Sequence, residues 1–148
     1  MKIFLLSEGE QWFWSLRHGD HEFARSLLFK KFIYAKKNAE EFRMSSCMAT
    51  KLDDPLTINV PPSDYETLFY IVKHGEMYKS EILYPPGTTF FDIHSSYEEA
   101  EKFMSCLIDD VFDMADIVDS NGNSFHPLSY SRRYRDMFDI NDDHPSSL

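Results

Sequence analysis

Between Tyr97 and Asp116 the chain carries a helix that can be read from its letters. Ala100, Phe103, Met104, Leu107, Ile108, Val111, Phe112 and Ala115 recur at alternating spacings of three and one. At 100° per residue this gathers them on one half of a helical wheel. Ser96 and Glu99 precede the stripe as a capping box, in which the hydroxyl accepts from the third helical N–H and the carboxylate reaches back. An apolar face this wide needs a second layer to cover it, so the rest of the chain must supply an apolar surface for it to pack on.

The other half of the same wheel is acidic. Glu98, Glu99, Asp109, Asp110, Asp113 and Asp116 fall there, relieved only by Lys102. A helix that needs only solubility gains from opposite charges four apart and loses a little from like ones. A row of carboxylates with almost no compensation therefore suggests a surface reserved for a basic partner.

The wider charge distribution agrees. Of the net −10, residues 1–51 hold nine Lys/Arg against six Asp/Glu, and residues 52–148 hold six against nineteen. That asymmetry disfavours nucleic acid as a ligand, because phosphate contacts need a basic stripe. It favours electrostatic steering of a basic protein. Lys30, Lys31, Lys36 and Lys37, with Arg25 and Arg43, form a basic cluster; interleaved with Phe32 and Tyr34 it could touch RNA. The expected role of these lysines is to solvate a long helix and lay their stems over its apolar side.

A hydrophobic content of 43% in 148 residues excludes wholesale disorder and is enough for one domain with a real core. Residues 1–140 are expected to form that single domain, with a flexible polar tail over 141–148. The longest wholly apolar run near the start, Ile3-Phe4-Leu5-Leu6, is too short for a secretory signal or a membrane span. A cytoplasmic setting is the expectation, with Cys47 and Cys106 as unpaired thiols.

Two further Ser-x-x-Glu boxes, Ser7 with Glu10 and Ser63 with Glu66, predict helices near 8–17 and 64–74, besides the one over 97–115. Gly19 and Gly75 stand where helices would end in a left-handed residue. Asp20 is placed to cap a longer helix running to about residue 44. Trp12, Phe13 and Trp14 are consecutive, so a helix cannot hide all three; one tryptophan would be covered by the neighbouring helix or belong to a partner surface.

Strands are expected at Leu56–Val60, and at Met77–Tyr84 paired as a hairpin with Thr88–Ile93 across Pro85-Pro86-Gly87. Asn121-Gly122 marks a hairpin turn within 116–128, and Tyr130, Tyr134, Met137 and Phe138 form a short helical stripe. The fold class that follows is α+β: a helical N-terminal third, then a small antiparallel sheet carrying two amphipathic helices.

Candidate chemistry is sparse. Asp119-Ser120-Asn121-Gly122-Asn123 starts like a calcium loop, but Ser124 and Tyr130 stand where Gly and a bidentate Glu are needed. His18, His21 and Glu22 straddle Gly19-Asp20, so they do not project from one rigid face as zinc ligands would. Cys106 lies near carboxylates that raise a thiol pKa, and Cys47 has no identifiable base. The five scattered glycines form no phosphate loop. No cofactor, metal or catalytic group is assigned. An enzyme would need a dispersed site, with Asp92, His94, Tyr84 and Tyr78 as its candidates.

The function these features point to is non-enzymatic: an acidic cytosolic binding protein, most concretely an immunity or inhibitor protein that masks a basic toxin such as a nuclease. Its expected binding residues are Glu98, Glu99, Asp109, Asp110, Asp113 and Asp116. An acidic mimic of DNA, blocking a DNA-binding protein, is the other non-enzymatic reading.

Overall fold

The computed structural model describes residues 1–46, 49–52, 68–84 and 86–124, apart from the side chains of Tyr84, Phe112, Asp113 and Met114. Its N-terminal third is built from strands. β1 (Lys2–Glu8), β2 (Gln11–His18) and β3 (His21–Arg25) form an antiparallel meander, and the first helix, α1, covers only Phe32–Ser45. The expected helical N-terminal third, with helices over 8–17 and 20–44, is therefore corrected.

The reason lies at two glycines. Gly9 (φ 62°) and Gly19 (φ 59°) each open a two-residue turn, Gly9-Glu10 closing Glu8 onto Gln11 and Gly19-Asp20 closing His18 onto His21. A positive φ at the first central residue is the type II′ requirement, whose twist suits a hairpin. Glu10 is thus a turn residue and not the reciprocal half of a capping box. β2 also resolves the aromatic triplet, because side chains on a strand alternate between faces. Trp12 and Trp14 point to one side, where Trp12 meets Phe32 edge-on at 5.2 Å and Trp14 stacks on Phe42 at 4.9 Å. Phe13 points to the other, beneath the guanidinium of Arg25 at 4.8 Å. Beyond β3 the backbone stays extended alongside β2, with Phe29 and Trp12 exchanging two N–H···O bonds of 2.6 and 2.7 Å. Residues 20–31 are spent on that pairing, so the helix begins only at Phe32.

The remaining elements are β4 (Thr50–Lys51), β5 (Leu68–His74), β6 (Met77–Tyr84), β7 (Thr89–Phe90), β8 (Ile93–His94), α2 (Tyr97–Met114) and β9 (Asp116–Val118). Two sheets result where one was expected. The first has the order β7-β3-β2-β1-β9 and the second β4-β5-β6-β8, with β9 parallel to β1 and β4 parallel to β5. The helix predicted over 64–74 is, from Leu68 onward, strand β5. The strand expected at Leu56–Val60, the helical stripe from Tyr130 to Phe138 and the tail from Asn141 lie outside the described residues.

The hairpin over 77–93 is partly realised. β8 returns onto β6 with Tyr78 opposite His94 and Lys79 opposite Ile93. Continuing that register would set Ile82 across from Phe90. Instead Phe90 pairs with Ala24 of β3, so the chain leaves one sheet for the other at β7 and the hairpin splays open. The chain does turn back there, with Val118 and Ser124 bridging, but the expected two-residue turn centred on Asn121-Gly122 is corrected: Gly122 N–H donates to Asp119 O at 2.9 Å, so Ser120-Asn121 are the central residues and Gly122 follows them at φ 83°.

One core joins the layers. Ile3, Leu5, Trp14, Leu16 and Ala24 from the first sheet meet Phe32, Ile33, Ala35, Ala39 and Phe42 of α1. Phe69 and Ile82 from the second sheet, with Met104, Leu107, Ile108 and Val111 of α2, complete the same cluster. α2 thus packs on the second sheet as its stripe requires. Among the described residues no helix is long and apolar enough to cross a membrane.

Candidate functional site

α2 forms where the capping box places it. Ser96 is extended (φ −140°, ψ 160°) and its Oγ accepts from the backbone N–H of Glu99 at 3.1 Å. The Glu99 carboxylate accepts from Ser95 Oγ at 2.7 Å, in place of the reciprocal backbone bond. Ala100, Met104, Leu107, Ile108 and Val111 are buried, Phe103 is half-buried, and Glu98, Glu99, Lys102, Asp109 and Asp110 are exposed. The sixth proposed residue, Asp116, is also exposed but lies beyond the helix, opening β9 opposite Lys2. The side chain of Asp113 is outside the description.

These carboxylates are of two kinds. Glu98 and Glu99 occupy the first turn, where the positive end of the helix dipole favours them, and Glu98 precedes Lys102 by four residues. Their presence is explained by helix stability alone. Asp109, Asp110 and Asp113 gain no such support. The last turn contains no basic residue, no cation occupies positions 105–108, and Asp113 stands three and four residues from the other two, a spacing that penalises like charge. Among the described residues Asp109 and Asp110 have no ion-pair partner. Glu101, in contrast, is paired with Lys51, whose ammonium also lies 4.9 Å from the Tyr97 ring centroid.

The other candidates are drawn into different arrangements. Asp92 does not meet His94. Its Oδ1 lies 2.8 Å from Nε2 of His21, an exposed histidine on β3. His94 instead packs its ring on Phe103 at 4.6 Å, with Nε2 buried and unpartnered among the described residues. Tyr78 stands edge-on to Tyr97 at 6.1 Å, and Tyr84 lies at the far end of β6. The four residues proposed for a dispersed catalytic site are therefore not gathered. His18 and His21 face one another across the turn, but Glu22 is committed to arginines, and no group of three potential metal ligands forms among the described residues.

Asp119 explains the apparent calcium loop as a turn: its Oδ1 accepts from the backbone N–H of Asn121 at 2.9 Å and of Asn123 at 3.0 Å. Cys106 is an exposed free thiol on α2, and Cys47 is outside the described residues. The basic cluster disperses. Arg25 belongs to β3, and Lys36 is a buried residue of α1 with its ammonium 2.8 Å from Glu40 one turn on.

One polar cluster is absent from the sequence reading. On the face of the first sheet turned away from α1, Ser15 Oγ donates to Glu22, Arg17 Nε donates to Ser15 Oγ at 2.8 Å, and Arg25 donates to both Glu22 oxygens at 2.9 and 3.0 Å. Burial pushes the Glu22 carboxyl up, but hydrogen bonds from Arg25 and Ser15 and the charges of Arg25 and Arg17 outweigh it and hold the group below its ordinary value. A strand over residues 11–18 puts Ser15 and Arg17 on one face, but Glu22 and Arg25, three residues apart, join them there only because the register shifts between Leu16 and Arg17, which has no local signature.

The class defined by this architecture is a two-sheet α+β protein with one helix on each sheet. No protein family, curated protein or solved structure matches the chain.

Proposed function

We propose that this protein is a non-enzymatic binding protein that engages a basic macromolecular partner through the outer face of α2, and that it acts as an inhibitor or immunity protein for a basic toxin such as a nuclease. The observation that carries the reading is the C-terminal half of α2. Asp109 and Asp110 are exposed, lack counter-charges among the described residues, and stand at a sequence spacing from Asp113 that penalises like charge, in a part of the helix where stability would prefer lysine. A row retained against local stability is the pattern expected of a surface whose compensating charge arrives with a partner. Nucleases carry such charge where they hold phosphate, and complementary potentials speed encounter and exclude wrong partners. Glu98 and Glu99 extend the same negative field, and Asp116 continues it past the helix end.

Affinity capture from source-cell lysate tests this, using the protein and its Asp109→Asn/Asp110→Asn/Asp113→Asn variant as baits at low and high salt. The reading expects a basic protein held by the first bait, weakened by the substitutions and released by salt. Equal capture by both baits at every salt concentration would contradict it.

A further inference from the structure

The turn that follows β9 gathers its backbone donors onto one residue. Asp119 Oδ1 accepts from the N–H of Asn121 at 2.9 Å and from that of Asn123 at 3.0 Å. Between them, the N–H of Gly122 donates to Asp119 O at 2.9 Å, and Asp119 N–H donates in return to Asn123 O at 2.9 Å. Lys2 of β1 adds a bond from its ammonium to Gly122 O at 3.2 Å. Three successive N–H groups are thus held by one residue.

That arrangement bears on the chemistry of the Asn121-Gly122 pair. Asparagine is a thermolabile residue, and it is most reactive when glycine follows, because no side chain crowds the next backbone nitrogen. That nitrogen attacks the side-chain carbonyl carbon and closes a five-membered ring. Asn121 is exposed, and its side chain has no hydrogen-bond partner among the described residues. The turn nevertheless withholds the nucleophile. No described residue other than glycine has a positive φ, so Asn121 takes the second central place of a type I turn, with ψ about 0°. Ring closure needs that bond swung round by about a third of a turn, to bring Gly122 N over Asn121 Cγ. The rotation breaks the bond from Gly122 N–H to Asp119 O and draws Asn123 N–H away from Asp119 Oδ1.

We infer that Asn121 is a site of spontaneous deamidation and backbone isomerisation, held closed in the folded protein by Asp119. In the reaction Gly122 N bonds to Asn121 Cγ and the Cγ–Nδ2 bond breaks. Nδ2 leaves as ammonia, carrying the proton that Gly122 N gives up. Water then opens the cyclic imide. Cleavage at Cγ leaves an aspartyl residue, and cleavage at the main-chain carbonyl leaves an isoaspartyl residue, whose backbone runs through one extra methylene. Both products add a carboxylate to the acidic end of β9, and the second displaces the donors that Asp119 holds and the bridge from Val118 to Ser124. The site is separate from the outer face of α2 and does not depend on the reading of that face.

Incubation of the full chain at mildly alkaline pH tests it, with peptide mapping that separates aspartyl from isoaspartyl products. The parent protein, Asp119→Ala and Asp119→Ser are followed in buffer and in urea, and thermal unfolding checks that each variant is folded in buffer. In the parent, Asn121 should convert about tenfold or more slowly in buffer than in urea. Asp119→Ala removes two hydrogen bonds, so in buffer Asn121 should convert about tenfold faster than in the parent. Asp119→Ser keeps a side-chain acceptor and should fall between the two. Asn123, followed by serine, is the internal control and should convert more slowly than Asn121 in urea. No conversion of Asn121 in urea would overturn the inference, as would equal rates in buffer and urea for the parent. A folded Asp119→Ala variant that converts no faster than the parent would overturn it equally.

Discussion

The indole of Trp14 lies nearly parallel to the ring of Phe42, with centroids 4.9 Å apart and planes 17° from one another, and its Nε1–H donates to Asn38 Oδ1 at 2.8 Å. Both aromatic side chains are wholly buried. This contact fastens β2 to α1, and the hydrogen bond fixes the rotation of the indole within it. Trp14→Ala should destabilise the protein by about 3–5 kcal/mol as a large core deletion. Asn38→Ala, which leaves the indole N–H without its acceptor, should cost about 1–3 kcal/mol. Urea denaturation of both variants and of the double variant checks this, and the two effects should fall short of additivity because the residues share a bond.

The cap on α2 gives a smaller, local effect. Ser96→Ala removes the oxygen that accepts from Glu99 N–H and should lower stability by about 1 kcal/mol. Ser96→Asp should restore it, since aspartate accepts the same bond. Thermal unfolding of the two variants side by side decides the matter; equal loss in both would show that the cap is not what holds the helix start.

Glu22 makes stability depend on pH in a definite direction. Burial raises its pKa, but Arg25, Ser15 and Arg17 outweigh that and hold the folded value below the ordinary one. A carboxyl whose pKa is depressed on folding contributes stability that is fully present above the unfolded pKa and lost as pH falls through the folded pKa. Glu22→Gln should therefore be clearly destabilising at about pH 7, and the gap to the parent protein should shrink below the ordinary glutamate range. Denaturant titrations of both proteins across that range measure it. A gap that widens in acid would reverse the sign of the argument.

α2 was legible because its signals agree: a 3.6-residue period over five turns, a cap at its head and a wet face of one sign. The N-terminal third was misread because two local signals compete there. Ser7 and Glu10 have the spacing of a helix start, but Gly9-Glu10 and Gly19-Asp20, ten residues apart and flanking an aromatic run, carry the Gly-first turn pattern of successive hairpins. The consecutive aromatics at 12–14 already argued against one helical face, and the strand resolves them. Leu27 to Ala35, interrupted by Lys30-Lys31, is apolar on more than one side because it spans an extended stretch paired with β2 and the first turn of α1, two structures that short apolar runs cannot distinguish.

The site divides in the same way. Exposure of Glu98, Glu99, Asp109 and Asp110 followed from the wheel. The Asp92–His21 pair did not, because its members lie 71 residues apart and meet only through the crossing of β7 into the first sheet. That crossing has no local signature. Thr88 to Ile93 reads as one strand of uniform composition, and its division between two sheets is decided by tertiary pairing with Ala24.

The central claim, that the carboxylates of α2 are kept for a basic partner, is tested most directly by association rates. Stopped-flow mixing with the captured partner at low and high salt compares the parent protein with its Asp109→Lys/Asp110→Lys/Asp113→Lys variant. The reversed charges should slow association by about tenfold or more at low salt, with the gap closing at high salt. The same substitutions should leave stability unchanged or slightly raised, because they relieve like-charge repulsion and place cations at the negative end of the helix. Equal association rates with the same salt slope in both proteins would contradict the claim and reduce the acidic face to a solvated helix surface.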